Sequence, residues 1–122
     1  WIHGERCQQV SFFEITTQFI PPQLSEKDVV IDGLFGSGLN KPLNGGFAAV
    51  VKYINQSPAT VVAIDIPSGL MCEDNTYNIH DHIVRADLTL TIGQLKLAFL
   101  FPENEEILGE TEIIDINLLK RT

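Results

Sequence analysis

Apolar, β-branched residues gather in short runs that end on a carboxylate. Val29-Val30-Ile31-Asp32 and Val61-Val62-Ala63-Ile64-Asp65 share this pattern. Continuous apolar runs of this length fit strands buried on both faces of a parallel sheet. Between them, Gly33 to Gly46 forms a loop with five glycines, one proline and two asparagines. Phe47, Val50, Val51 and Ile54 then fall at i, i+3, i+4 and i+7, a single apolar stripe that predicts a helix. That helix must stop by Ser57-Pro58, because the residue before a proline is pushed out of the helical region. Leu88, Leu90 and Ile92 alternate with Thr89 and Thr91, which predicts a further strand, and Ile113-Ile114-Asp115-Ile116 predicts a last one. Ser11-Phe12-Phe13-Glu14-Ile15 reads as a short strand ahead of the turn-forming Pro21-Pro22. Residues 1–10 give no element, so 1–27 is the least assigned stretch, and Met71 to His82 is polar and irregular. Strand, glycine loop, helix, strand is a βαβ unit with a right-handed crossover. The expected class is α/β with a mostly parallel sheet.

Composition narrows the function more than the fold. The chain has 122 residues, 44% hydrophobic and 20% charged, which fits one globular domain over 1–122. Its net charge of -8 argues against general nucleic-acid binding, which needs a basic stripe. A bound nucleotide remains compatible, because backbone amides can hold phosphates without net positive charge. No apolar run approaches the ~20 residues a membrane helix requires, and the greasiest stretch, Leu95 to Phe101, contains Lys96. With no secretory signal pattern, the expectation is a soluble cytoplasmic protein without a membrane partner. Cys7 and Cys72 have no Cys or His partner at metal spacing and read as reduced thiols. The chain opens on Trp1 without a methionine, and its first strand signal comes near Ser11, as it would in part of a longer domain.

In open α/β sheets ligands sit beyond the carboxyl ends of the strands. The topology puts Asp32 and Asp65 on that edge together, each followed by a glycine- or proline-bearing loop; the plainer reading is that each carboxylate caps its turn. The loop from Gly33 to Pro42 is neither a Walker A loop, since Leu39-Asn40 replaces Lys-Ser/Thr, nor GxGxxG, since Lys41 stands at the last glycine. Its glycines still let backbone approach a ligand, and Lys41 supplies the local cation; a plain βα connection would share that composition. Asp65-Ile66-Pro67-Ser68-Gly69 is not a nucleophile elbow, because Ile66 and Leu70 occupy the required glycine positions. Ser68 is better read as a hydroxyl ligand or a loop-fixing group. His80-Asp81-His82 lacks further metal ligands and reads as solvated loop. Asn55-Gln56-Ser57 has a glycosylation pattern that an intracellular chain does not use.

Asp32-Gly33-Leu34-Phe35-Gly36-Ser37-Gly38-Leu39, then Val62 through Leu70, then Ala86 through Ile92 with Lys96, resemble the YjeF N-terminal family. That family comprises the NAD(P)HX epimerases, isomerases that interconvert the S and R epimers of hydrated NADH and NADPH in cofactor repair. The resemblance covers roughly residues 28–117. It implies a Rossmann-like three-layer α/β/α sandwich, a bound potassium ion and a hydrated dinucleotide substrate. Asp32 and Ser68 match the family's potassium ligands. Gly36, Ser37, Gly38, Leu39, Asn40, Lys41 and Pro42 match its substrate-binding loop. Asp65 matches its substrate-contacting carboxylate and is the expected acid/base. The family's Asn-Asn-Gly-Gly-Asp-Gly loop has no counterpart, since Asn44-Gly45-Gly46 lies elsewhere. The resemblance is thus to the C-terminal half or so of the domain, truncated at the N-terminal side. Either the chain is a remnant of the longer domain, or its newly cut sheet edge pairs with another copy as a homo-oligomer. In many bacteria the epimerase is fused to a C-terminal ADP/ATP-dependent dehydratase, a partner the resemblance also implies. The alternative is a non-catalytic nucleotide-binding or protein-interaction module that keeps the fold. A Rossmann-type NAD oxidoreductase is disfavoured by the missing GxGxxG fingerprint.

Overall fold

In the computed structural model the described residues are 11–16, 20–36 and 38–115. Four strands, β1 (Val29–Asp32), β2 (Thr60–Ile64), β3 (Leu88–Ile92) and β4 (Glu110–Ile114), form one sheet in the order β1-β2-β3-β4. All three pairings are parallel, with Val30 opposite Val61, Ala63 opposite Thr89 and Leu90 opposite Glu112. Parallel neighbours need crossovers. The first is helix α1 (Gly45–Gln56), and the last carries 3-10 turns at Leu97–Leu100 and Pro102–Asn104 and the short helix α2 (Glu105–Leu108). The α/β class and the βαβ unit expected from the sequence are both present.

Helix α1 buries Ala48, Val51 and Ile54, one turn-and-a-bit of stripe rotated from the expected one. Phe47 is half exposed and packs edge-on against Phe35, with ring centroids 5.2 Å apart, instead of entering the core. Gly45 and Gly46, expected in the loop, already belong to the helix, and the chain leaves it at Ser57 as the following proline demands. Val51 and Ile54 meet Leu43, Val61, Ala63, Val84 and Ala86 in one core cluster. A second cluster, Ile66, Leu70, Ile83, Ala98, Ile107 and Leu108, lies further along the same face beyond the strand ends.

The alternation in β3 buries its threonines. Thr89 and Thr91 are fully buried, while Leu88 and Leu90 are partly exposed. Hydroxyls survive inside because each has a partner: Thr89 Oγ1 donates to the Leu108 carbonyl at 2.7 Å, and Thr91 Oγ1 accepts from Lys96 Nζ at 2.7 Å. The opposite face of the sheet carries Val29, Ile31, Ile92 and Ile114, all exposed among the described residues. The described residues therefore supply the sheet and one covering layer of a Rossmann-like sandwich.

Two expected strands are corrected. Residues 11–15 make no strand, and Phe12 and Phe13 are exposed. Ile15 and Thr16 line a cleft against α1, and the Tyr53 hydroxyl donates to the Pro22 carbonyl. The last strand runs Glu110–Ile114, starting earlier than Ile113. Its entry turns on Gly109 (φ 62°), where a Cβ would collide with the Asp87 carbonyl. Ile116 and Cys7 lie outside the described residues.

If α1 packs this way, Val51→Asp buries an unpaired carboxylate and should cost several kcal/mol, enough to unfold the domain. Phe47→Ala, which removes only the edge contact with Phe35, should cost about 1 kcal/mol. Urea denaturation of the two variants checks the order; equal losses would place the stripe wrongly.

Candidate functional site

The end of β1 is pinned to the loop after β2 by one buried carboxylate. Asp32 is 2% exposed and Ser68 is 1% exposed. Asp32 Oδ1 accepts the Ser68 hydroxyl at 2.6 Å and the Leu34 N–H at 3.3 Å, and Oδ2 accepts the Ser68 N–H at 2.7 Å. Ser68 Oγ in turn accepts the Phe35 N–H at 3.0 Å. The two residues matched to ion ligands are thus in direct contact, although 36 positions apart in the chain. Gly69 (φ 97°) permits this path, since a Cβ there would strike the His82 carbonyl. Asn75 and Asn78 brace the loop further: Asn78 Nδ2 donates to the Gly69 carbonyl, and Asn75 bonds both backbone groups of Met71.

Asp65 is placed differently. It lies just past the β2 ladder at φ 71°, among the described residues the only non-glycine with positive φ. Such a setting costs about 1–3 kcal/mol and persists only when neighbours impose it. Here the Asp65 N–H donates to the Leu90 carbonyl at 2.7 Å, and Asp65 Oδ1 accepts the Ile92 N–H at 3.1 Å and Lys96 Nζ at 2.5 Å. Burial raises the Asp65 carboxyl, but the Lys96 ammonium, the Ile92 N–H and Thr91 together outweigh it and hold the group below its ordinary value. The side chain is therefore a carboxylate at neutral pH, able to accept a proton.

Of the glycine loop, Gly36 and Gly38 are exposed, Leu39 packs on the core, and Asn40 and Lys41 are exposed. Ser37 lies outside the described residues. Asn40, Lys41 and Pro42 line a small cleft of about 200 Å³ with Met71, Asp74, Tyr77 and Asn78. The loops after β1 and β2 thus share one rim, with Asp65 and Lys96 on the same strand-end edge. An apolar cleft of about 400 Å³ is lined by Ile15, Pro22 and Leu24, by Val30 of β1 and by Val50 and Tyr53 of α1. Among its lining residues Tyr53 is the one titratable group.

Asp32 and Ser68 offer carboxylate and hydroxyl oxygens, donors suited to a hard cation. Asp32 has no ion pair among the described residues, and no group of three His, Cys, Asp or Glu side chains forms among them. His80 and Asp81 are exposed on a 3-10 turn, as expected for a solvated loop, but His82 Nδ1 contacts the Leu43 carbonyl at 2.7 Å. Asn55, noted only for its glycosylation pattern, is a structural clamp: Nδ2 donates to Ile83 O and Oδ1 accepts the Arg85 N–H, each at 2.8 Å. Lys96, quoted with the family motif but given no role there, is the residue whose contact with Asp65 strand-end reasoning did not anticipate.

A family model described as YjeF-related protein N-terminus matches residues 1–98. The chain is 30% identical over 113 residues to a protein named NAD(P)H-hydrate epimerase from Limosilactobacillus fermentum, covering 93% of this chain and 53% of that protein. It is 34% identical over 95 residues to a protein of the same name from Oenococcus oeni, covering 78% and 44%. It is 42% identical over 95 residues to the bifunctional NAD(P)H-hydrate repair enzyme Nnr from Thermofilum pendens, covering 78% of this chain and 18% of that protein. The chain spans about half the length of the epimerases it matches.

Ser68→Ala removes a donor from a buried carboxylate and an acceptor from Phe35, and should cost about 2 kcal/mol in urea unfolding. Asp65 adds a pH signature. Its folded-state value is lowered, so its contribution is complete above the ordinary carboxylate value and is lost as pH falls through the folded one. The stability gap between wild type and Asp65→Asn should hold steady from neutral pH to about pH 5 and shrink below about pH 4. A gap that widens on acidification would reverse the assignment.

Proposed function

The chain belongs to the YjeF-related N-terminal family, and we propose on that premise that it carries part of an NAD(P)H-hydrate epimerase site. The substrates are the S and R epimers of hydrated NADH and NADPH, and the reaction is an isomerisation with no net change in atoms. The observation that carries this reading is the ionised Asp65, held at a strained backbone position on the rim shared with the Asp32–Ser68 pair and the glycine loop.

In this scheme the ring nitrogen lone pair forms a C=N bond as the C6 hydroxyl leaves with the electrons of the C–O bond. As water adds to the opposite face of C6, the C=N electron pair returns to the ring nitrogen and Asp65 takes the water's proton, which it then gives to the departed hydroxide. Such proton transfer is worth about 10²–10⁴-fold. Gly36 through Pro42 lets backbone come close to the dinucleotide, and Lys41, which makes no ion pair among the described residues, faces its phosphate charge. A potassium ion at Asp32 and Ser68 would offset the buried carboxylate charge and brace the two loops. The names of the bifunctional relatives support a fused second repair domain as partner in the parent protein, and an ADP- or ATP-dependent dehydratase is the activity this reading expects of it.

A second reading, a protein-interaction module, is favoured by the exposed apolar sheet face at Val29, Ile31 and Ile114. Chromatographic resolution of S and R hydrated NADH after incubation with the intact protein separates the two. Epimerisation is expected for the first and none for the second. Asp65→Asn should slow the reaction about 10²–10⁴-fold with binding kept. Asp32→Asn should chiefly weaken the dependence on potassium and recover in part as potassium rises. Near-normal turnover by Asp65→Asn, or its rescue by potassium, would reverse these roles.

A further inference from the structure

We propose that Lys96 is a positioning residue for Asp65. Its ammonium, fixed by the turn that follows β3, clamps Oδ1 of that carboxylate and leaves Oδ2 for the ligand's proton. The inference rests on Asp65 being the proton carrier proposed above.

The geometry makes Lys96 the more firmly placed member of the pair. Besides Asp65, Nζ donates to Thr91 Oγ1 at 2.7 Å, to the Ile92 carbonyl at 3.2 Å and to the Gln94 carbonyl at 3.3 Å. Those three acceptors belong to the end of β3 and its turn, so the ammonium keeps its place whatever Asp65 does. Gly93 (φ 81°) makes the reversal, closed by the Gln94 N–H to the Ile92 carbonyl at 3.0 Å. The Lys96 side chain is 13% exposed, so little of its freedom remains to be lost. A lysine used only for solubility would extend into water with its donors hydrated.

Asp65, by contrast, needs holding. Its positive φ is disfavoured, and apart from Lys96 its anchors are neutral groups, the Leu90 carbonyl, the Ile92 N–H and the Thr91 side chain. All these anchors come from one strand, so β3 and its turn act as a jig for the carboxylate. Cys72 and Glu73, from the loop after β2, are the other titratable groups nearby; burial pushes the Cys72 thiol up, which keeps it neutral at pH 7. Lys96 is thus the one cation facing Asp65 among the described residues.

The test follows the carbon-13 carboxyl resonance of Asp65 with pH in the intact protein and in Lys96→Met, which keeps the stem and removes the charge. The titration midpoint should rise by about one unit or more, and Lys96→Arg should restore part of the shift. In parallel the acidic limb of the epimerisation rate should move up by the same amount, with kcat falling more than KM rises. An unmoved midpoint in a folded Lys96→Met would overturn the proposal. If that variant does not fold, the wild-type nitrogen-15 shift of Lys96 Nζ decides instead. A step at the Asp65 midpoint supports the clamp, and its absence overturns it. The two proposals fail separately: a moved midpoint without epimerisation sinks the enzymatic reading alone, whereas epimerisation with an unmoved midpoint sinks the role of Lys96 alone.

Discussion

A carboxylate taken out of water must be given donors, and Asp32 meets that demand at the centre of this structure. The Ser68 N–H, the Ser68 hydroxyl and the Leu34 N–H all converge on it. Because two of the three come from the loop after β2, the requirement dictates how that loop folds. Ile66, Pro67, Ser68, Gly69 and Leu70 are all buried, an unusual condition for a connection. Ile66 and Leu70 then seed the second core cluster, to which Ala98, Ile107 and Leu108 are added from the last crossover. One polar constraint at the sheet edge thus organises apolar packing well beyond it.

The two carboxylates at the strand ends solve opposite problems. Asp32 is buried, neutral donors surround it, and its charge has no local cation among the described residues. Asp65 is partly exposed, ion-paired, and backed by a strained backbone. Chemical division of labour between such neighbours arises from environment, since the side chains are identical. In the proposed reading the first holds a ground-state organiser and the second exchanges a proton.

Much of this was legible in the sequence because parallel strands with both faces apolar leave unmistakable runs. β1 and β2, the helix between them and the pairing of Asp32 with Asp65 at one edge all follow from run length and the side on which a crossover returns. Packing that depends on partners distant in sequence was not legible. The burial of Thr89 and Thr91 is set by the Leu108 carbonyl and Lys96, and no local pattern announces those partners. The rotation of the α1 stripe reflects small Ala48 fitting where bulky Phe47 would not, a question of shape rather than period. Phe12 and Phe13 look like a strand by propensity, but a strand exists only where a ladder receives it. Lys96 was visible in the motif, but its contact with Asp65 depends on a turn geometry that only coordinates display.

The parallel order of the sheet has a kinetic consequence. Val30 pairs with Val61, Ala63 with Thr89 and Thr91 with Ile113, so every strand contact spans more than twenty residues of chain. No hairpin is available to nucleate cheaply, and each pairing demands closure of a long loop before it returns any energy. The Asp32–Ser68 contact bridges the first such closure and the Asp65–Lys96 contact the second. The chemistry-bearing rim is therefore complete only once both of these long closures are made, and a molecule lacking either carries only part of it.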